Sequence, residues 1–250
     1  MEAKDVYDLR NSKSMAGRLA RMLVTIHSKV RPPRPYKTRN QEGEVFERYL
    51  GARGRVLLLG SNLPPERLGE FRGQTVVQVD IKKLPFVDIV ADAEALTDTI
   101  PAGSYDYVVS TSMLEHTPHP WKVLDEVYKV LRPGGVLYVS VPWMYPLHAE
   151  PNDYWRFSVP CLQRLVREAG FVELDRGSEY SPHAALQSFL QAYLCEVFSF
   201  DKSVAFYSLE FVTLWLLYPL SFLEGALRLG PRKNYYTDQL LYIIAQKPAA

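Results

Sequence analysis

The segment Val56–Phe71, VLLLGSNLPPERLGEF, decides the fold, because it joins a continuous apolar run to a glycine and then to a polar loop. A short apolar run without polar alternation is typical of a strand that is buried on both faces, as in a parallel sheet. In doubly wound sheets, ligands bind beyond the carboxyl end of the first strand, where it turns into the first helix, and Gly60 stands there. The segment therefore predicts an α/β fold with a ligand site at Gly60.

Strand-like and helical patterns alternate along the chain beyond this segment. The other strand-like runs are TVVQVD, DIVAD, YDYVVSTS, GVLYVSVPW, FVELDRGSEY and QLLYIIAQK. Two segments, PWKVLDEVYKVLRPGG and CLQRLVREAGF, have apolar residues at helical spacing, and glycines are predicted to end both helices. Alternation of this kind predicts a parallel sheet that is covered on both faces.

The loop after Gly60 limits which nucleotide the fold can bind. A dinucleotide site needs further glycines for close approach of the backbone to a pyrophosphate, but Asn62 and Pro64 stand there. Asp80, twenty residues after Gly60, ends the second strand, where a carboxylate can accept hydrogen bonds from both ribose hydroxyls. These features predict a cofactor with a ribose and no phosphate, such as an adenosyl sulfonium, and disfavour a nicotinamide oxidoreductase.

Residues Val56 to Phe171 resemble the class I S-adenosylmethionine-dependent methyltransferases with a methyltransferase type 11-like domain. The resemblance rests on LLLGS, VVQVD, VADAEAL, STSMLEH and EVYKVLRPGGVLYVSVP, in this order. It implies S-adenosyl-L-methionine as cofactor. It also implies a Rossmann-like, doubly wound, mostly parallel seven-stranded sheet with an antiparallel closing strand, N-terminal helices and a helical insertion before the last strand.

The resemblance implies a set of cofactor-binding residues at the ends of the strands. They are Gly60, Ser61, Asp80, Ile81, Asp92, Ala93, Ser112 and Met113. Asp80 would bind the ribose, while Asp92 and Ala93 would meet the adenine edge. The alternatives are a strand-end cap for Asp80, a turn-forming role for Asp92 and simple packing for Met113.

The chain departs from the family pattern in its first motif. The family usually has an acidic residue where Leu58 stands, and a GxGxG run where Gly60, Asn62 and Pro64 stand. Leu58 cannot hold the amino group of the cofactor, so binding must depend on Ser61, on the backbone near Gly60, or on other segments. A non-catalytic binding or scaffold protein with the same fold is therefore the alternative to an enzyme.

Candidate catalytic residues follow the fourth and fifth strands. They are His116, His148, Asp153, Tyr154 and Arg156. A neutral imidazole at His116 or His148 could take a proton from a hydroxyl substrate. His116 could equally cap the next helix or bond backbone, and Asp153 could pair with Arg156 in a structural turn with Trp155 in the core.

The ends of the chain suggest three regions. We expect an N-terminal helical arm over residues 1–43, with Leu19, Met22, Leu23 and Ile26 at helical spacing, and a methyltransferase domain over residues 44–181 and 232–250. We expect a helical insertion over residues 182–231, in which the segment VAFYSLEFVTLWLLYPLSFLEG is apolar nearly all round. Because Glu210 and Glu224 bracket its longest uncharged run and Pro219 interrupts it, we predict a substrate lid, peripheral membrane contact or a homodimer contact, not a membrane span.

Composition and charge bear on the binding partners, the cysteine chemistry and the location of the protein. A net charge of +1 over 250 residues gives no reason to expect nucleic acid, although basic residues are frequent near Lys29 and Arg39. Cys161 and Cys195 lie in no CxxC pattern, so neither a metal site nor a disulfide framework is predicted. The charged N-terminus and the cysteines favour a cytoplasmic protein, with contact to the inner face of the membrane left open. The expected function is O-methylation of a small, apolar or lipid- or glycan-linked molecule, since HAEPNDYWRFS resembles family members from glycan or natural-product pathways.

Overall fold

A computed structural model describes residues 15, 18, 19, 22, 25, 42–71, 73–148, 151–179, 182–198, 209, 212–220 and 237–249. The chain divides into two compact units. One unit comprises residues 39–143, 154–179 and 240–250, and the other comprises residues 1–38, 144–153 and 180–239. The first is called the sheet unit and the second the helical unit, and the predicted domain limits stay predictions.

The sheet unit contains seven strands, which confirms the predicted fold class. The strand order is β3-β2-β1-β4-β5-β7-β6, and β7 runs antiparallel to β5 and β6 while the other neighbours are parallel. Their bounds are β1 Gly54–Leu59, β2 Gln74–Asp80, β3 Ile89–Val90, β4 Tyr105–Thr111, β5 Leu131–Pro142, β6 Val172–Ser178 and β7 Leu240–Gln246.

Helices cover both faces of this sheet. The α-helices of the sheet unit are α1 Glu42–Tyr49, α2 Pro120–Val130 and α3 Val159–Glu168, and three short 3₁₀ helices span Pro65–Arg67, Ala93–Asp98 and Leu114–His116. Leu57 and Val108 pack against α2 and α3 on one face. On the other face, Phe46 of α1 packs against Phe71 and Tyr138, with ring centroids 5.2 and 5.1 Å apart. The sheet therefore has a core on each side, as a parallel sheet requires.

The structure corrects the predicted end of α2. The helix was expected to end at the glycines of LRPGG, but it ends at Val130, and β5 begins with Leu131, which pairs with Tyr105. The register then shifts before Tyr107 pairs with Val136, so Gly134, with a φ of +78°, lies in a bulge at the start of the strand.

The connection from β1 to β2 also differs from the prediction. A helix was expected after Gly60, but within the described part of this connection the helical segment is the single 3₁₀ turn Pro65–Arg67. Pro64 and Pro65 lack backbone N–H groups, and a proline disfavours helical geometry in the residue before it. The segment after Gly60 is therefore a loop held by tertiary contacts.

The helical unit contains α4 (Pro182–Phe198) and a helix over residues 212–220. These confirm the helical pattern predicted after Pro182. The described part of the chain contains no helix long and apolar enough to span a membrane. Residues 15, 18, 19, 22 and 25 are helical as predicted, whereas Leu23, Ile26 and the basic residues from Lys29 to Arg39 lie outside the described residues.

Candidate cofactor and substrate site

The loop after β1 is fastened to β2 by one buried side chain. Gln78, only 4% exposed, donates from Nε2 to the Leu63 carbonyl at 2.8 Å and accepts the Leu63 N–H at Oε1 at 2.6 Å. The same Oε1 accepts the Ser61 hydroxyl at 2.9 Å. Gln78 therefore fixes the conformation of residues 61–63. The glycine-rich turn and the helix that usually follow the first strand of this fold are not needed for that.

Three backbone donors of this loop are used inside the protein. Gly60 and Ser61 both donate their N–H groups to the carbonyl of Val79, at 2.8 and 3.3 Å, and Leu63 donates to Gln78. A pyrophosphate site in this fold needs such N–H groups to point at the ligand. These three N–H groups are therefore not directed at a phosphate, and the predicted lack of a pyrophosphate site stays a prediction.

Gly60 is required where it stands. Its φ is +63°, and a Cβ atom added there would lie 2.4 Å from the Cγ atom of Met113. Met113 follows β4 and packs against the core beneath α2 and α3. Packing is thus what the structure shows for Met113, and its contact with a cofactor stays a prediction.

Ser112, beside Met113, has a strained backbone. Its φ is +46°, the one positive value at a non-glycine residue among those that the structure describes. Its N–H donates to the carbonyl of Ser140 at 3.0 Å, which holds the end of β4 against β5. Such strain costs about 1–3 kcal/mol and concentrates at functional sites, so it favours the predicted role of Ser112.

Asp80 ends β2, as predicted. Its Oδ1 atom accepts the N–H of Lys82 at 2.8 Å, which orients the carboxylate at the carboxyl edge of the sheet. A carboxylate has about four acceptor positions, so this bond leaves capacity for ribose hydroxyls. The next residue, Ile81, is 64% exposed and offers apolar surface beside the carboxylate.

Asp92 has the turn-forming geometry that was the alternative to its functional role. It is the N-cap of the 3₁₀ helix that begins at Ala93, and its Oδ1 atom accepts the N–H of Glu94 at 2.9 Å. Glu94 in turn binds the ring of His119 at 2.8 Å. Asp92 is exposed and keeps acceptor capacity, so its contact with adenine stays a prediction.

His116 ends the 3₁₀ helix after β4. Its Nε2 atom lies 3.6 Å from Oε1 of Glu115, whose side chain is fully buried. The N-cap of α2 is His119, so His116 does not cap that helix. The sequence analysis did not single out Glu115, although it is the central letter of the LEH motif.

His148 and Asp153 lie together in the helical unit. Oδ2 of Asp153 accepts the backbone N–H of His148 at 2.7 Å and lies 3.2 Å from its Nδ1. The Asp153 side chain is fully buried, and the ring of Tyr145 packs edge-on against the imidazole at 4.9 Å. A buried carboxylate at Nδ1 orients the ring and leaves Nε2 as its proton acceptor.

The other predicted catalytic residues, Tyr154 and Arg156, belong to the sheet unit, as does Trp155. Trp155 packs against the core as its alternative predicted, and its Nε1 donates to the Thr117 carbonyl at 3.0 Å. Arg156 donates from Nη1 to the carbonyl of Trp155 at 2.8 Å. Tyr154 is 49% exposed, and its N–H donates to the Glu115 carbonyl at 2.9 Å. The catalytic roles of Tyr154 and Arg156 stay predictions.

A cavity of about 410 Å³ lies beside Gly60 within the sheet unit. Its lining residues are Phe46, Leu58, Leu59, Gly60, Ser61, Asn62, Leu63, Arg67, Glu70, Phe71, Val109 and Thr111. The cavity thus joins the carboxyl ends of β1 and β4 to the loop that replaces the first helix. Sequence analysis missed Arg67 and Glu70, which resemble ordinary surface charges in the sequence.

A second buried polar group lies after β6. The hydroxyl of Tyr138 donates a short hydrogen bond to Glu179, whose side chain is buried beside the stacked rings of Tyr138 and Tyr242. Burial raises the pKa of Glu179, and the hydrogen bond from Tyr138 opposes part of that rise. This group was also missed, because a single acidic residue at the end of a strand has no distinctive pattern.

Comparisons with known sequences agree with this geometry. Residues 60–139 match the family described as a methyltransferase domain. A ubiquinone biosynthesis O-methyltransferase from Psychrobacter arcticus is 30% identical over 144 residues, which cover 44% of this chain and 56% of that protein. A ubiquinone/menaquinone biosynthesis C-methyltransferase from Hydrogenovibrio crunogenus is 29% identical over 165 residues, 64% of this chain and 61% of that protein. The chain thus matches little more than half the length of these relatives.

Solved structures show the same fold. The [4+2]-cyclase SpnF has a TM-score of 0.56 at 15% identity, with 93% of both chains covered. A phosphoethanolamine N-methyltransferase from Haemonchus contortus has a TM-score of 0.54 at 16% identity, covering 99% of this chain and 60% of that one. The 1,6-didemethyltoxoflavin-N1-methyltransferase of Burkholderia thailandensis, solved with S-adenosylhomocysteine, has a TM-score of 0.51 at 17% identity over 82% and 76% of the two chains.

Proposed function

We propose that this chain, which carries a methyltransferase domain of the class I S-adenosylmethionine-dependent fold, methylates a small, apolar or lipid- or glycan-linked molecule, at oxygen. One observation supports the proposal most directly: in the loop after β1, the N–H groups of Gly60 and Ser61 donate to Val79 and that of Leu63 donates to Gln78, while Asp80 stands at the end of the next strand. This combination suits a cofactor that has a ribose and no phosphate.

The described residues fit such a cofactor at the carboxyl edge of the sheet. Asp80 would accept the ribose hydroxyls, Ile81 would cover one side of the adenine, and Asp92 with Ala93 would meet its edge. Ser61 and the positive-φ backbone at Gly60 and Ser112 would border the reacting end, since they lie at the ends of β1 and β4. Bound there, S-adenosylmethionine would supply a methyl group already activated by its sulfonium.

The protein's own contribution is then positioning and proton removal. A hydroxyl acceptor must lose a proton, and a placed base accelerates such a step about a hundred- to ten-thousandfold. His148, oriented by the buried carboxylate of Asp153, has the geometry of such a base at Nε2. His116 is the second candidate, and Tyr154 and Arg156 would bind the acceptor.

The class of acceptor is proposed from two features. Several similar proteins are named ubiquinone biosynthesis O-methyltransferases, which favours an oxygen acceptor with apolar character. The helical unit also exposes large apolar side chains on its described helices, which suits contact with an apolar molecule. They are Leu186, Phe189, Tyr193, Val197, Phe198, Val212, Trp215, Leu216 and Leu220.

Residues 182–231 are further proposed as a lid, as a peripheral contact with the inner face of the membrane of a cytoplasmic protein, or as a homodimer contact. Flotation with anionic liposomes, beside size-exclusion chromatography with light scattering, separates the last two. If the protein is a monomer, does not bind liposomes and has no preference for apolar acceptors, the segment serves only as part of the packed core.

A non-catalytic binding or scaffold protein is the second candidate. Leu58 in place of the usual acid favours it, as does the cyclase that shares the fold, because a fold does not fix a reaction. Mass spectrometry of metabolites from cells with and without the protein tests the enzyme. A pair of molecules that differ by one methyl group supports methylation, whereas binding of S-adenosylmethionine without any such pair supports the scaffold.

A further inference from the structure

We propose that Arg67 and Glu70 hold the charged amino acid end of S-adenosylmethionine in the cavity beside Gly60. On this proposal Glu70 replaces the acidic strand residue that the family usually has where Leu58 stands. The inference rests on the proposed function, because it identifies how the same cofactor is anchored.

The cavity has the position and the size to hold the amino acid end of the cofactor. Its volume of about 410 Å³ falls in the range of small-molecule sites, and Leu58 itself lines it. Gly60 and Thr111 border it at the ends of β1 and β4. The cavity therefore occupies the side of β1 toward which an acid at position 58 would point.

The cavity also carries charges of both signs. Arg67 and Glu70 are its two charged lining residues, and neither forms an ion pair within the described part of the chain. Two of the neighbouring polar side chains already have partners, since the Ser61 hydroxyl donates to Gln78 and Asn62 accepts the N–H of Phe86 at 2.8 Å. One cation and one anion on the same cavity suit a zwitterion.

The chemistry assigns one ligand group to each residue. A guanidinium matches a carboxylate with two parallel hydrogen bonds, so Arg67 would bind the carboxylate of the methionine end. The carboxylate of Glu70 would accept from the ammonium group. The shape of this loop makes the assignment possible, because Arg67 at the end of the 3₁₀ turn Pro65–Arg67 and Glu70 shortly after it both line the cavity.

Calorimetry with three ligands tests the assignment: S-adenosylmethionine, its decarboxylated analogue, and methylthioadenosine, which lacks the whole amino acid end. The wild-type chain should prefer S-adenosylmethionine to the decarboxylated analogue. Arg67→Gln should lose that preference and weaken S-adenosylmethionine binding about tenfold or more. Glu70→Gln should lower the affinity for S-adenosylmethionine and for its decarboxylated analogue equally. Neither variant should change the affinity for methylthioadenosine.

Matched controls are Glu66→Gln, in the same 3₁₀ turn but outside the cavity lining, and Arg53→Gln before β1. Both should bind all three ligands as the wild type does. Equal losses for all ligands in Arg67→Gln and Glu70→Gln, or no loss in either, would overturn the assignment while leaving the proposed function intact. A folded wild-type chain that binds none of the three ligands would overturn the proposed function itself.

Discussion

The side-chain amide of Gln78 is bonded twice to the backbone of Leu63, as donor to its carbonyl and as acceptor from its N–H. This pair of bonds fastens the loop after β1 to β2. The loop is then neither a phosphate cradle nor the start of a helix, and a cavity remains beside it. The proposed cofactor and its anchoring both depend on the shape that this contact gives to the loop.

The Gln78 contact predicts a specific loss of stability. We expect Gln78→Ala to lower the free energy of unfolding by about 1–3 kcal/mol, because buried backbone groups at Leu63 lose their partner. Gln74→Ala is the control on the same strand, since Gln74 makes one exposed bond to the carbonyl of Gly51. Urea unfolding measures both, and hydrogen exchange at Leu63 should quicken in Gln78→Ala alone. Equal losses in the two variants would remove the special role of Gln78.

The close approach of Gly60 to Met113 predicts a second effect. Gly60→Ala and Gly103→Ala share the same backbone strain, with φ of +63° and +64°, but the space around Gly103 is open. Gly60→Ala should therefore cost about 1–3 kcal/mol more, the usual range for overpacking. Met113→Ala in the Gly60→Ala background should recover most of that difference. No recovery in this double-mutant cycle would show that the contact is not what excludes a side chain.

Asp80 predicts a loss of cofactor affinity without loss of fold. Asp80→Ala should weaken binding of S-adenosylhomocysteine by about 1–3 kcal/mol, the cost of unpaired hydrogen-bonding groups. Asp98→Ala, at an exposed position in the 3₁₀ helix after β3, is the control and should bind normally. Unchanged affinity of Asp80→Ala in calorimetry would contradict the ribose assignment.

The histidines predict a division between chemistry and binding. His148→Ala should lower turnover of the acceptor about a hundred- to ten-thousandfold with cofactor affinity intact, because proton removal acts in the chemical step. Asp153→Asn should lower it less and shift the pH profile, since Asp153 acts through the ring of His148. His116→Ala is the comparison. A large loss there with none at His148 would transfer the role to His116, and full turnover in both would exclude a histidine base.

The buried Glu179 predicts a pH-dependent stability. Because burial raises its pKa, the folded protein binds this proton more tightly than the unfolded chain does. That contribution to stability is complete below the unfolded pKa and is lost as the pH rises through the folded pKa. Glu179→Gln removes this titration, so its melting temperature relative to the wild type should rise from about pH 4 to pH 8. Parallel curves, as expected for the exposed control Glu47→Gln, would contradict the assignment.

Sequence reasoning predicted the strands well, because a continuous apolar run such as Val56–Leu59 can be satisfied only inside a covered sheet. It failed for the segment after Gly60, because a residue fifteen positions away decides that loop. It also misread LRPGG, since the pairing of Leu131 with Tyr105 outweighs the usual meaning of glycine after a helix. Local patterns cannot report such long-range contacts.

The candidate site was predicted unevenly for the same reason. Strand-end residues such as Asp80 can be located from the sequence, because the topology fixes where each strand ends. The contact of Asp153 with His148 could not be chosen from the sequence, because several polar neighbours were available to this carboxylate. Arg67 and Glu70 have no distinctive sequence pattern at all, and only the cavity relates them to each other.

The central claim is tested most directly by calorimetry, in which the purified full chain is titrated with S-adenosylmethionine and, in parallel, with NADH. We predict one S-adenosylmethionine molecule bound per chain in the micromolar range, and no heat from NADH, because the N–H groups of Gly60, Ser61 and Leu63 are bonded within the protein and the glycines of a pyrophosphate loop are absent. A folded chain that binds NADH, or that ignores S-adenosylmethionine, would contradict the account.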